Sequence, residues 1–195
     1  ATKDVRLVRL EYSDGKSRGR VVDPAQLERL FKSPLMRSAN AIAGLFYDGV
    51  VVTESDNDRA FYAEIYHRLS AMSADLPSVL FINAQNKQTI KDIIGPLRQF
   101  GVPAAAIPDI DIVKDGGKTW NDWLSACQVP TALHAGYQAQ RNAIKACFDA
   151  SGKEMKTAGG VSILTGSDRL AADQLFDVLA EYGVFVVRGG ELENW

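Results

Sequence analysis

Residues 49–62, GVVVTESDNDRAFY, decide how the rest of the chain is read. Val50, Val51 and Val52 form an apolar run that ends on a carboxylate, Glu54. Three small polar residues then turn the chain, and from Asp58 onward Phe61, Ile65 and Leu69 recur at helical spacing. A buried strand that stops on an acid and passes straight into a helix puts that acid at the carboxyl edge of a sheet, where open α/β folds keep their sites. Asp58 falls in the first turn of the helix, where the backbone dipole favours negative charge and the side chain can point back to the same edge. Two acids so placed call for a cation between them.

Downstream the alternation repeats. SVLFINA (78–84) reads as a second buried strand, Gln85-Asn86-Lys87 as its turn, and Gln88 to Phe100 as a helix with Ile90, Ile93, Ile94 and Leu97 on one face. VPAAAIPDIDIV (102–113) reads as a third strand whose last residues include Asp109 and Asp111. Strand, helix, strand, helix, strand with short joins predicts right-handed parallel crossovers, with Glu54, Lys87 and the aspartates at one edge. Within an extended segment Asp109 and Asp111 would share one side. Their apolar surroundings make an unpaired charge costly, so a positive group is expected beside them.

The flanks are less regular. Residues 5–12 alternate apolar and charged like a half-exposed strand, SDGKSRG (13–19) has the composition of a turn, and Asp23-Pro24 opens a helix through Phe31 that Ser33-Pro34 stops. A short helix over 36–46 leads into the first buried strand. After a charged loop at 114–118, Trp120, Trp123, Leu124 and Cys127 form a helical face that reads as core. A longer helix covers 131–150, and SGKEMKTAGG (151–160) is a mobile loop by composition. Residues 165–168 cap a helix through Tyr182, and VFVVR (184–188) is a final strand running into GGELENW, with Glu191 and Glu193. The expected architecture is α/β: a Rossmannoid parallel sheet flanked by helices, with a helical insertion at about 117–160 after the third strand. Residues 1–45 are a lead-in that packs on the core, and 46–195 the main domain.

The bulk properties narrow the classes. With 195 residues, 46% hydrophobic and 24% charged, the chain is an ordinary globular domain in size and composition. A net charge of −2 argues against gripping nucleic acid by a general basic surface, although bound cations reverse the sign of a carboxylate site. No apolar run is long enough to span a membrane, and ATKDVRLVRL lacks the pattern of a signal peptide, so a cytoplasmic protein is expected. Cys127 and Cys147 lack metal-type spacing and read as reduced thiols; His67 and His134 are isolated. A Ser-His-Asp or Cys-His site has little material. The carboxylates do form a set: Glu54, Asp58, Asp109, Asp111 and one of Glu191 and Glu193. Such hard oxygen ligands select Mg²⁺, Mn²⁺ or Ca²⁺ over zinc. Two such ions about 4 Å apart suit phosphoryl chemistry.

From Gly49 to Asp111 the chain resembles a Toprim domain, the module shared by type IA topoisomerases, bacterial primases and the OLD-family nucleases. The likeness rests on an apolar strand ending in Glu, the DRAFY-like helix, a strand with NA-x-x-K, and a strand ending in DxD. With SPLMRSANAIAGLFYDG (33–49) and the tail GVFVVRGGELENW (183–195), it extends over most of residues 34–195 and is nearest the OLD-like branch, whose members are fused to ABC-type ATPases. The resemblance implies a divalent-metal-dependent DNA endonuclease domain. Its metal ligands would come from Glu54, Asp58, Asp109, Asp111, Glu191 and Glu193, and its catalytic groups would be Glu54, Asp109 and Lys87. Lys87 is read either as a phosphate contact or as a solvated lysine at a helix start. The implied cofactor is Mg²⁺ or Mn²⁺, one or two ions, with Ca²⁺ as an inert substitute. The implied partners are DNA and an ATPase domain in the full-length protein, and a homo-oligomer is compatible; no membrane partner is implied. The glycine that commonly follows the motif glutamate is Ser55 here, the one before the lysine is Asn86, and no GxxxxGK[ST] motif is present. Two other readings stand beside this one: a non-catalytic Toprim scaffold that regulates an ATPase, and a haloacid-dehalogenase-like phosphatase using DIDIV.

Overall fold

The computed structural model describes residues 6–73 and 75–194. It opens with an antiparallel hairpin, β1 (Leu7–Ser13) and β2 (Lys16–Val22), joined at Asp14 and Gly15. Both turn residues have positive φ, 51° and 73°, as the tight turn of a twisted hairpin requires. The expected turn over 13–19 therefore shrinks to two residues; Ser13 closes β1 and residues 16–19 enter β2. Its strand character was masked by the basic side chains on its exposed positions.

Two short helices follow, each with its own cap. Asp23 accepts from the Ala25 amide at the start of α1 (Pro24–Lys32), and Ser33 accepts from the Met36 amide at the start of α2 (Pro34–Ser38). Ser33-Pro34 thus starts a helix as well as ending one. The helix expected over 36–46 breaks at Asn40, whose φ is 54°, and continues as a 3-10 turn, Ala41–Phe46. Leu27, Leu30, Met36 and Ala41 are buried in the same core as the sheet.

The centre is a parallel three-stranded sheet. β3 (Gly49–Thr53) lies between β4 (Val79–Asn83) and β5 (Ala104–Ile107), with Val52 opposite Ile82 on one side and Ala106 on the other. The crossovers are α3 (Asp56–Met72) and α4 (Lys87–Gln99). Ile90, Ile93, Ile94 and Leu97 are fully buried, as their spacing predicts. The apolar row on α3 faces the other way: Phe61, Ile65 and Leu69 are all exposed, and the helix meets the sheet through contacts such as Tyr66 against Phe81.

β5 ends at Ile107. Asp109 follows in extended backbone, and the chain then coils into a 3-10 turn, Ile110–Lys114. The two aspartates therefore do not share one side of a strand as expected; Pro108, which has no N–H, comes just before the departure from the sheet. Next come α5 (Gly117–Ala126), α6 (Thr131–Ser151), a 3-10 turn at Gly160–Ile163, and α7 (Gly166–Glu181). Trp120 and Trp123 of α5 and Ile144 and Phe148 of α6 belong to the core cluster that holds the strands, so these helices are built into the body of the fold.

The expected last strand is a shorter feature than predicted. Val184–Val187 run parallel to β5 through two isolated bridges, Ala106 to Val184 and Asp109 to Val187. The Ala106 amide donates to Gly183, and the Phe185 and Val187 amides donate to Ala106 and Pro108. This fourth lane lies along the DxD segment and delivers residues 188–194 to the carboxyl edge. The loop at 151–160 is also tied down: Met155 is buried, and the Gly160 amide donates to its carbonyl.

Candidate metal centre

Each acid reaches the carboxyl edge by a different local device. Glu54 follows directly on β3's last residue, Thr53, which is fully buried. Ser55 is the N-cap of α3: its hydroxyl accepts from the Asp58 amide at 3.2 Å, and the Asp58 carboxylate accepts from the Ser55 amide at 3.0 Å and hydroxyl at 2.8 Å. This reciprocal box explains why a serine follows the glutamate, and it leaves Asp58 only 8% exposed. Asn86 does the same for α4, accepting from the Thr89 amide. Both departures from the glycine pattern are thus helix caps.

Glu54, Asp58, Asp109, Asp111, Glu191 and Glu193 all line one open pocket of about 410 Å³, together with Lys87 and Lys156. Glu54 Oε1 accepts from the Asp109 amide at 3.0 Å, locking the end of β3 to the end of β5. Burial pushes the Glu54 carboxyl up to about 7, and the charges of Asp109 and Asp111 add to the shift, outweighing that hydrogen bond and Lys156. Asp109 is also raised, mainly by burial, against the lowering effect of Lys156. Glu191 is half-buried, whereas Glu193 is exposed on the pocket's outer lip.

Two lysines meet the acids directly. Lys87 Nζ stands 2.8 Å from Asp111 Oδ2 and 3.9 Å from Asp115, and donates to the Asp111 carbonyl at 3.0 Å. Its side chain is 13% exposed, so it is a largely covered counter-ion rather than a solvated lysine at a helix start. Lys156 Nζ stands 2.6 Å from Asp109 Oδ2 and 3.8 Å from Glu191. Burial opposes its charge, but Asp109, Asp111 and Glu54 outweigh burial and hold the ammonium protonated well above the usual lysine range. Sequence reasoning missed both Lys156 and Asp115. Asp115 could have been suspected from its place two residues after the DIDIV run. Lys156 offered only a weaker sign, a lysine beside the one large apolar residue of a Gly-rich turn.

The donor set suits a hard divalent cation, being all carboxylate oxygen. Asp111 Oδ1 is buried without a hydrogen-bond partner, and Glu54 sits beside two other acids with its carboxyl displaced toward neutrality. A cation of charge two would relieve both. As the side chains lie, no three acidic, imidazole or thiolate groups among the described residues are gathered closely enough to hold an ion. In this arrangement the two ammonium groups and the Ser55 cap take up carboxylates of the set.

Residues 45–111 match the family described as Overcoming lysogenization defect protein-like, TOPRIM domain, and that segment is an OLD-like Toprim domain. No curated protein and no solved structure matched the chain. No described helix is long and apolar enough to cross a membrane.

Proposed function

We propose, for a chain whose residues 45–111 are an OLD-like Toprim domain, that the acid pocket is the centre of a divalent-metal-dependent DNA endonuclease. The observation that carries this reading is the Glu54 carboxylate set on the Asp109 amide, in one pocket with Asp111, Asp58 and Glu191. Mg²⁺ or Mn²⁺, one or two ions, would be held by Glu54, Asp109 and Asp111, with Asp58 and Glu191 or Glu193 on the flanks. Such an ion supplies charge stabilisation for the attacking and leaving oxygens of a phosphodiester. Glu54 orients the end of β5 through its hydrogen bond from the Asp109 amide. Lys87 fixes Asp111 from behind and so is a positioning residue. The catalytic unit is 46–195, its substrate is DNA, its wider setting is an ATPase-linked protein, and its compartment is the cytoplasm. Plasmid nicking in Mg²⁺ or Mn²⁺, compared with Glu54→Ala and Asp109→Ala, tests the reading. Loss in both variants supports it, and equal nicking in all three would show a contaminating nuclease.

One observation favours a second reading, a scaffold that docks an ATPase without cutting DNA. Asp109 and Asp111 each already have an ammonium partner. Titration calorimetry with Mn²⁺ separates the two, because a scaffold would show no heat dependent on Glu54 and Asp109.

A further inference from the structure

The turn that carries Lys156 is held by its main chain, while its long side chain reaches into the acids. A Cβ on Gly160 would sit 1.9 Å from the Arg188 carbonyl, and one on Gly190 would sit 2.0 Å from the Lys156 carbonyl. The two glycines let the 155–160 turn and the 188–190 segment lie backbone on backbone, so Lys156 and Glu191 come to the pocket as one unit. Met155, buried, anchors the turn from the other side. Beyond Cα, the lysine has four rotatable bonds and a compact charge. It is 28% exposed at the pocket wall, with its ammonium on Asp109, an acid that the proposed ion also needs.

We propose that Lys156 is the phosphate-binding cation of this site, parked on Asp109 until a divalent ion takes that carboxylate over. An ammonium and a divalent ion compete for one carboxylate group. When the ion wins, the ammonium is repelled from the pocket floor and left at the rim, where a phosphate oxygen of bound DNA would receive it. This rests on the metal-dependent reading above, and it adds a residue and an order of events that the resemblance did not include.

The test uses the whole chain, with Lys156→Met, Lys156→Gln and Lys156→Arg, each checked by thermal melting. Mn²⁺ affinity is measured by calorimetry without DNA, and binding of a short labelled DNA duplex by anisotropy in Ca²⁺ and in EDTA. The neutral variants are expected to bind Mn²⁺ more tightly than wild type. In Ca²⁺ they should bind the duplex about tenfold more weakly, with a salt slope smaller by about one unit, and in EDTA as wild type does. Lys156→Arg should keep the Ca²⁺-dependent DNA affinity. Unchanged or weaker Mn²⁺ binding in both neutral variants overturns the proposal, as does an equal loss of DNA affinity in Ca²⁺ and EDTA. Wild type that binds no Mn²⁺ would overturn the nuclease reading itself. Wild type that binds Mn²⁺ and shows either overturning result leaves that reading intact.

Discussion

Glu54 and Asp109 lie 55 residues apart and are joined by one hydrogen bond, from the Asp109 amide to Glu54 Oε1 at 3.0 Å. The bond ties the carboxyl ends of β3 and β5 together at the pocket that the acids line. It also fixes the Glu54 carboxylate where water reaches it poorly and like charges surround it.

A dependence of stability on pH follows. The folded-state value for Glu54, about 7, lies above that of an unfolded glutamate, so the native chain binds its proton more tightly than the unfolded chain does. Metal-free protein should therefore lose stability as pH rises from the ordinary glutamate range to about 7, by on the order of 2 kcal/mol from this group. Thermal melts in EDTA at about pH 5.5 and 8 measure it. Glu54→Gln should flatten the profile, and Mn²⁺ should raise the melting temperature of wild type more at the higher pH. A wild-type profile no steeper than that of the glutamine variant would refute the assignment.

Removal of Lys87 strands two carboxylates. Asp111 and Asp115 are 15% and 14% exposed at the side chain, and Lys87 is the ammonium recorded beside both. Lys87→Met should destabilise the chain by about 3 kcal/mol in urea unfolding. Adding Asp115→Asn should recover part of that loss, giving a coupling in the double-mutant cycle that independent sites would lack.

Gly160→Ala meets two obstacles at once. The residue has a φ of +57°, and the new methyl would overlap the Arg188 carbonyl. The cost should exceed about 1 kcal/mol, and the displaced turn should carry Lys156 off Asp109. Weakened stability together with tighter Mn²⁺ binding is the expected pair of results, and a fully stable variant would contradict the close packing of the two segments.

The cysteines should separate in a thiol assay. Cys127 is buried, and burial pushes its thiol up to about 11 against the pull of Arg98. It should resist a disulfide reagent until the protein unfolds, while Cys147, only partly covered, should react in the native state.

How much of this could be read from residue order differs from segment to segment. The join from β3 to α3 was legible because three signals coincide there: an apolar run, an acid, and a helical period that opens on a second acid. The helices after the DxD segment were legible from their apolar period, which Trp120, Trp123 and Leu124 carry into the core. The path after Ile107 was not. DIDIV alternates like a strand, yet Pro108 precedes a coil whose apolar residues, Ile110, Ile112 and Val113, are all buried by tertiary packing. Period alone does not distinguish those outcomes. The outward row on α3 is a further case, since helical spacing locates a stripe without saying which side meets the sheet. Lys156 lies in a segment with no period, and its role arises only because two glycines bring distant backbones together.

The lane formed by Val184–Val187 has a consequence for what counts as a self-sufficient piece of this chain. β5 takes its outer neighbour from beyond α7, and Asp109 takes its bridge from Val187 and its counter-charge from the turn before Gly160. A fragment truncated after the DxD segment would leave one flank of the sheet bare and Asp109 without its counter-charge. The OLD-like stretch is thus one part of a larger cooperative body, and closing that body late, across some seventy residues of intervening chain, makes slow assembly the expected behaviour.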